Sequence, residues 1–287
     1  AFGKFPRKHH MEHLKRPEDW DDMDDFAKKG WSLKARAVRE KNREIDGSIA
    51  TMTQDLGTAN DLAKFDSFWL GWNFDFRGRV YPVSHFSYHR DDHVKALFNL
   101  ARGKTMDADA VSWLAVHIAN VGDFDKISKQ SLDARIAWVE DNSENLYRVG
   151  RDPIATFDYW SKADKPFQFL AACHELANYM DVGPEYVCSL PPQLDGTNSG
   201  VQHYAAASLN KNDGRMVNLV PADKPQDVYQ SVADSVLCKL TESKEPEAKL
   251  WLDYGVSRTT VKRNTMTYGY SSGKYGFGDQ LYDDVMR

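Results

Sequence analysis

The sequence predicts a mainly α fold with a few short β-strands, an α+β arrangement. Three observations predict it. Apolar residues recur at helical spacing through most of the 287 residues. One aromatic and β-branched stretch, SFWLGWNFDFRGRVYPVSHFS at 67–87, is broken at Gly78 and Pro82, as a strand, turn and strand require. No internal repeat or low-complexity linker divides the chain.

The elements follow in order. Acids cluster in PEDWDDMDD (17–25) and bases follow in KKGWSLKARAVREKNR (28–43), an order that suits a helix dipole. The spacing predicts one helix over 21–46, ended near Gly47, and a second over 48–65. After the strand pair, helical patterns return at 91–101, at 107–121 and in pieces over 128–149. PFQFLAACHELANYM (166–180) reads as a buried apolar helix. YVCSLPPQLDG (186–196) reads as a short extended segment, which its two prolines confine to an edge or a bend. NSGVQHYAAASLN (198–210) predicts a helix with Asn198 or Ser199 as N-cap. Beyond DGRMVNLVP (213–221), helices are expected at 227–240, 247–254, 257–268 and from 279 onward.

A composition 41% hydrophobic and 28% charged suffices for one large or two smaller domains. No apolar run approaches the ~18 residues of a membrane span. The start, AFGKFPRKHH, lacks a Met and the apolar segment of a secretory signal, and LYDDVMR stops inside a helical pattern. On this reading the sequence is a piece of a longer protein. Cys173, Cys188 and Cys238 are far apart and form no CxxC pair, so buried apolar thiols in a reducing cytoplasm are expected rather than zinc or disulfides. A net charge of −5 argues against nucleic-acid binding through bulk charge but allows a locally basic groove.

Three groups of residues could carry chemistry. Asp195 ends an apolar extended segment beside Gly196, where a carboxylate and a carbonyl could ligate a hard divalent ion. An Asx-turn or helix-cap aspartate is the alternative. Arg77 and Arg79 flank Gly78, and on a strand two such guanidiniums would face one way, towards successive phosphates. Surface arginines paired with acids such as Asp75 are the alternative. Arg258, Lys262, Met266 and Tyr270 recur every fourth residue, hence on one face of a helix. Two cations at one end, a thioether and a phenol at the other would span about 18 Å at ~1.5 Å per residue, roughly the reach of a nucleoside triphosphate. A basic surface helix that happens to carry Tyr is the alternative.

The order FRGRVYPVS, LDGTNSGVQHYAA, DGRMVNLVP, WLDYGVSRTTVKRNTMTYGYSSGKYGFG closely resembles the single-subunit RNA polymerases of bacteriophages and mitochondria. The resemblance runs from about residue 31 to the end. It implies part of a right-hand polymerase fold: the end of the thumb at 1–65, the first part of the palm at 66–222 and the first part of the fingers at 223–287. It implies that Asp195 is one of two palm aspartates binding catalytic Mg2+, with the Gly196 carbonyl as a further ligand. It implies two ions in the complete enzyme. Arg258 and Lys262 would bind the triphosphate, Met266 would give apolar contact, and Tyr270 would help choose ribose over deoxyribose. Arg77 and Arg79 would contact the template and the RNA hybrid. The partners implied are a DNA template, an RNA product and ribonucleoside triphosphates, in a monomeric enzyme with no membrane association. The compartment would be a bacterial cytoplasm if phage-encoded, or a mitochondrion.

Two departures bear on this reading. The family usually has Gly directly after the sugar-selecting Tyr, whereas Tyr270 precedes Ser271 and the Tyr-Gly pair is Tyr268-Gly269. Tyr268 is therefore a rival to Tyr270. The second metal aspartate normally lies in a downstream His-Asp-Ser segment, and the sequence has no His-Asp pair. Two other readings stay open: a fragment that only binds nucleic acid or nucleotides, and a family-A DNA polymerase, which shares the fingers pattern but not the Gly-x-Gln-His run at 200–203.

Overall fold

The computed structural model describes residues 10–194 and 196–286. Among the described residues helices dominate, with two small two-stranded sheets, so the mainly α expectation holds. By compactness the chain divides into two units: Ala1–Ile127 with Arg135–Pro192, and Ser128–Ala134 with Gln193–Arg287.

The first unit opens on α1 (Asp25–Leu62), capped by the Asp24 carboxylate, which accepts the Ala27 N–H at 2.6 Å. The expected break at Gly47 does not occur, and one helix covers 25–62 of the two expected spans, 21–46 and 48–65. An interior glycine costs only about 1 kcal/mol relative to alanine, too little to stop a helix that continues on both sides. Pairs such as Arg36–Glu40 and Lys41–Glu44 add small support along its exposed face. The buried Asp55 carboxylate ties α1 to the next helix, α2 (Asp92–Lys95), accepting from Arg90 and from His93 Nε2 at 2.9 Å each. The helix expected over 91–101 is only this one turn.

Between α1 and α2, β1 (Trp72–Phe74) pairs antiparallel with β2 (Val80–Pro82), as the strand-turn-strand reading required. β3 (Lys104–Thr105) pairs with β4 (Val187–Cys188), which confirms the short extended segment after 186. Between them lie α3 (Ala108–Gly122), α4 (Leu132–Asp141), α5 (Ser143–Arg151), α6 (Phe157–Trp160) and α7 (Pro166–Val182). α7 is buried as expected. Its Phe169, Ala172 and Cys173 meet Ile118 and Ala119 of α3 and Leu146 and Val149 of α5. Gly150 permits the close α5–α7 crossing, since a Cβ there would stand 2.5 Å from the Cys173 carbonyl. Asp92 caps α7 from outside, accepting the Phe167 and Gln168 N–H groups at 2.7 and 3.1 Å.

The expectation of buried thiols holds for Cys173 but not for Cys188 or Cys238. Cys173 is buried, and burial pushes its thiol far up. Cys188 is half-buried and Cys238 is exposed, because α10 (Val228–Glu242) turns Cys238 away from the core it presents through Ala233.

The second unit holds α8 (Ser199–Ala207), α9 (Lys211–Met216), α10, α11 (Pro246–Tyr254), α12 (Arg258–Tyr268) and α13 (Lys274–Met286). α9 lies inside the segment left without an element, and α13 begins five residues before the expected 279. Ala233, Val256 and Val261 form the core of this unit, joining α10, α11 and α12 with Val236, Leu240 and Trp251 around them. Gly255, at φ 85, makes the sharp link between α11 and α12 that an L side chain would strain.

Candidate nucleotide and metal site

The site elements of the second unit start at the turn before α8. Asp195, the sequence's candidate metal ligand, lies outside the described residues. Gly196 is exposed, with open space where a Cβ would project, so its backbone is approachable. Asn198, not Ser199, precedes α8, but in left-handed conformation (φ 57) and without a side-chain cap bond. The turn is held instead from the α9 side. Gln202 Nε2 donates to the Val217 carbonyl at 2.7 Å, and Thr197 Oγ1 reaches the same oxygen at 3.4 Å. Asn218 Nδ2 donates to Thr197 Oγ1 at 3.3 Å and to the Gln226 carbonyl at 2.9 Å, while its Oδ1 accepts from Gln226 N at 2.7 Å. DGRMVNLVP is thus a brace between the turn at Thr197 and the start of α10. The sequence reading missed Gln202 and Asn218 in this role, because the partners lie 15 and 21 residues away.

α12 begins with a capping box between Ser257 and Thr260. Thr260 and Val261 are buried, facing the α10–α11 side. Arg263 turns to α13, where it pairs with Asp284 at 3.0 Å. This orientation leaves Lys262 and Met266, one turn apart, on the exposed face. Lys262 makes no ion pair with any described residue. Arg258, at the edge of that face, bends to α10. Its Nε donates to Asp227 Oδ2, and its guanidinium lies 5.1 Å above the Tyr229 ring. Asp227 is also the N-cap of α10, its Oδ1 accepting from the Tyr229 and Gln230 N–H groups at 3.0 and 3.3 Å. Partial burial pushes the Asp227 carboxyl up, but Arg258 and these N–H donors outweigh it and hold the carboxyl below its ordinary value.

Tyr270 does not continue the helical stripe. α12 ends at Tyr268, and the chain passes through Gly269 into a turn closed by Tyr270 N to Thr267 O (3.0 Å) and Ser271 N to Tyr268 O (3.1 Å). Ser271, at φ 68, completes the departure from the helix. Glycine's low helix propensity and these tighter bonds explain the end at Tyr268, where the helix over 257–268 was expected to stop. Tyr268 and Tyr270 are similarly exposed, at 73% and 70%, so exposure does not choose between them. A Cβ at Gly269 would stand 3.7 Å from the Tyr204 ring, so the end of α12 lies beside α8.

The arginine pair of the first unit is not on a strand. Arg77 and Gly78 (φ 76) belong to the hairpin turn, and β2 begins only at Val80. The two-apart rule for strands therefore does not orient Arg77 and Arg79. Asp75 organises the turn. Its Oδ1 accepts the Arg77 and Arg79 N–H groups at 2.8 and 2.9 Å, and its Oδ2 accepts Arg77 Nε and Nη2 at 3.0 and 2.8 Å. Partial burial works against ionisation of Asp75, but these donors hold its carboxyl below its ordinary value. The Arg79 side chain is exposed and makes no ion pair with any described residue.

Among the described residues no group of three or more His, Cys, Asp or Glu could hold a metal ion. Asn198 Nδ2 is buried and unpaired, but it is a donor and cannot ligate a cation. The Gly196 carbonyl and the carboxylate type of Asp195 are hard oxygen donors that suit magnesium, though too few to complete its shell.

Lys262 and the Arg258 guanidinium thus stand one turn apart on α12, in the same unit as the braced, glycine-containing turn before α8. The family described as DNA-dependent RNA polymerase matches residues 104–287, and the chain belongs to that family. T7 RNA polymerase of Escherichia phage T7 is 34% identical over 299 residues, covering 95% of this chain and 33% of the phage protein. The DNA-directed RNA polymerase of Enterobacteria phage K11 is 33% identical over 312 residues, 99% of this chain and 34% of its own length. A mitochondrial DNA-directed RNA polymerase of Schizosaccharomyces pombe is 37% identical over 225 residues, 77% of this chain and 19% of its own. The chain thus spans about a third of the length of these phage relatives.

Proposed function

We propose that the protein containing this chain is a template-directed RNA polymerase that transfers ribonucleotides to an RNA 3′-hydroxyl. The observation that carries the proposal is the outward face of α12, with Lys262 exposed and Arg258 at its edge, in a chain of this family. Lys262 and Arg258 neutralise the triphosphate and the departing pyrophosphate. Met266 gives apolar contact to the nucleotide, and Tyr270 faces the sugar. Arg77 and Arg79 contact the template and the hybrid. DNA template, RNA and ribonucleoside triphosphates are the partners of a monomeric enzyme acting in a bacterial cytoplasm or a mitochondrion. Among the described residues no helix is long and apolar enough to cross a membrane. By this reading 1–65 ends the thumb, 66–222 begins the palm and 223–287 begins the fingers.

Asp195 and the Gly196 carbonyl would hold magnesium, with the remaining ligands coming from substrate, water and residues outside this chain. When bound, the metal supplies activation of the hydroxyl and neutralisation of charge on the reacting phosphate. Asp195→Asn keeps the size and removes the charge. In the full-length polymerase it is expected to lower single-turnover nucleotide addition by about three orders of magnitude or more, with DNA affinity nearly unchanged. Retention of a third of the wild-type rate would remove Asp195 from the site.

A further inference from the structure

We infer that Asp227 is a positioning residue that orients Arg258 for the nucleotide's phosphates, with Tyr229 as the floor of the same mount. The inference rests on the triphosphate reading of Arg258 given above. Three features carry it. First, the guanidinium is held through Nε alone, by Asp227 Oδ2. Neither Nη group has a hydrogen-bond partner among the described residues. Those two nitrogens form the outer edge of the fork, the edge that meets two phosphate oxygens side by side. Second, the guanidinium carbon lies over the Tyr229 ring, 5.1 Å from its centroid, a contact that restricts the side chain further. Third, Asp227 is itself immobilised. Its other oxygen is occupied by the first N–H groups of α10, so it is fixed to the helix that forms the core of the unit with α12.

An arginine on a free side chain must lose rotamer freedom when it meets a phosphate. One already held at Nε and over an aromatic ring has lost much of it beforehand, and more of its contact energy reaches the ligand. The carboxylate also keeps the arginine from settling on another acid when no nucleotide is present. Asp227 touches neither substrate nor reacting atoms in this scheme. It acts through Arg258.

The test is a double-mutant cycle in the full-length polymerase. Asp227→Asn and Asp227→Ser both keep an N-cap oxygen for α10, and both remove the charge that holds Arg258. Each is expected to raise the Michaelis constant for nucleoside triphosphates about three- to tenfold, a part of what one charge-assisted hydrogen bond supplies. Template affinity and the thermal unfolding midpoint should change little. In an Arg258→Ala background the same substitutions should add nothing, because the residue they act through is gone. Equal increases with and without Arg258, or no increase at all, would overturn the positioning role while leaving the triphosphate reading intact. An Arg258→Ala enzyme with unaltered nucleotide kinetics would instead remove the triphosphate reading, and the positioning role with it.

Discussion

The hairpin turn at Arg77–Arg79 and the start of α12 solve one problem in two ways. Each has an aspartate that gives one oxygen to backbone N–H groups and the other to a guanidinium, and each has a second, exposed cation nearby. At the hairpin, Asp75 takes both Nε and Nη2 of an arginine two residues away. At α12, Asp227 takes only Nε of an arginine 31 residues away. The first arrangement closes a turn and uses much of its arginine in doing so. The second joins two helices and leaves the outer edge of its arginine open. On the proposed reading of Arg258, pairing alone does not mark an arginine as structural. What matters is which nitrogens the pairing uses. In both regions the exposed partner, Arg79 or Lys262, makes no ion pair with any described residue.

The comparison is sharpened most by Lys262→Ala. Lys262 has no ion pair with a described residue to lose, so its removal should leave stability nearly unchanged while removing one fixed charge from the triphosphate. A loss of about 100-fold in kcat/KM for nucleotide addition is expected, the scale seen when one charge-stabilising group is deleted. Template affinity measured by titration should stay within twofold, about 0.4 kcal/mol. A change confined to template affinity would show that the exposed cation on α12 serves the nucleic-acid backbone, as the one on the hairpin is proposed to do.

How much of this was legible in the sequence follows the same division. Asp75 lies two residues from Arg77, and the pair could be named before any coordinates, because a short turn brings such residues together. Asp227 could be read only as a helix start. Nothing local announces a contact across 31 residues, which depends on how α10 and α12 pack. Periodicity located most helices, including buried α7, but it misjudged the interior Gly47, where helical continuity outweighs a small propensity cost. The four-residue spacing of Arg258, Lys262 and Met266 survived because α12 spans all three. It failed at Tyr270, where Gly269 and the left-handed Ser271 take the chain out of the helix. The brace from Gln202 and Asn218 was hidden for the same reason as Asp227.

That departure from the helix gives the next prediction, of intermediate size. If Tyr270 faces the sugar, its hydroxyl takes part in recognising the ribose 2′-OH. Tyr270→Phe should keep ribonucleotide addition and relax the rejection of deoxyribonucleotides by ~1–3 kcal/mol, the cost of one unsatisfied buried polar group. Tyr268→Phe is the companion variant, since Tyr268 is the last residue of α12 and forms the Tyr-Gly pair usual in the family. The ratio of incorporation efficiencies for ribo- and deoxyribonucleotides decides between them. Relaxation in Tyr268→Phe alone would assign the sugar to the helix end and leave Tyr270 a turn residue.

The smallest effect is expected at the hairpin, and it returns to the contrast between a pinned and an open cation. Arg79→Ala removes a guanidinium that no described acid holds, so its loss should appear in nucleic-acid binding and hardly in folding. A single phosphate contact contributes ~0.9 to the slope of log affinity against log salt on duplex DNA, and roughly 0.7 on a single strand. Arg79→Ala should therefore lower that slope by a little under one, with a correspondingly weaker salt dependence and no change in nucleotide KM. Arg77→Ala should change the slope less. The guanidinium it removes is already shared with Asp75, and its loss leaves that carboxylate with its two backbone donors, Arg79 N–H among them. Its effect should appear as a modest fall in the thermal unfolding midpoint, through a looser turn. Slopes measured for both variants over a salt series, with the midpoints alongside, separate these outcomes. If Arg77→Ala lowers the slope as much as Arg79→Ala, a doubly engaged arginine still meets phosphate, and the number of nitrogens an aspartate occupies does not decide what an arginine does.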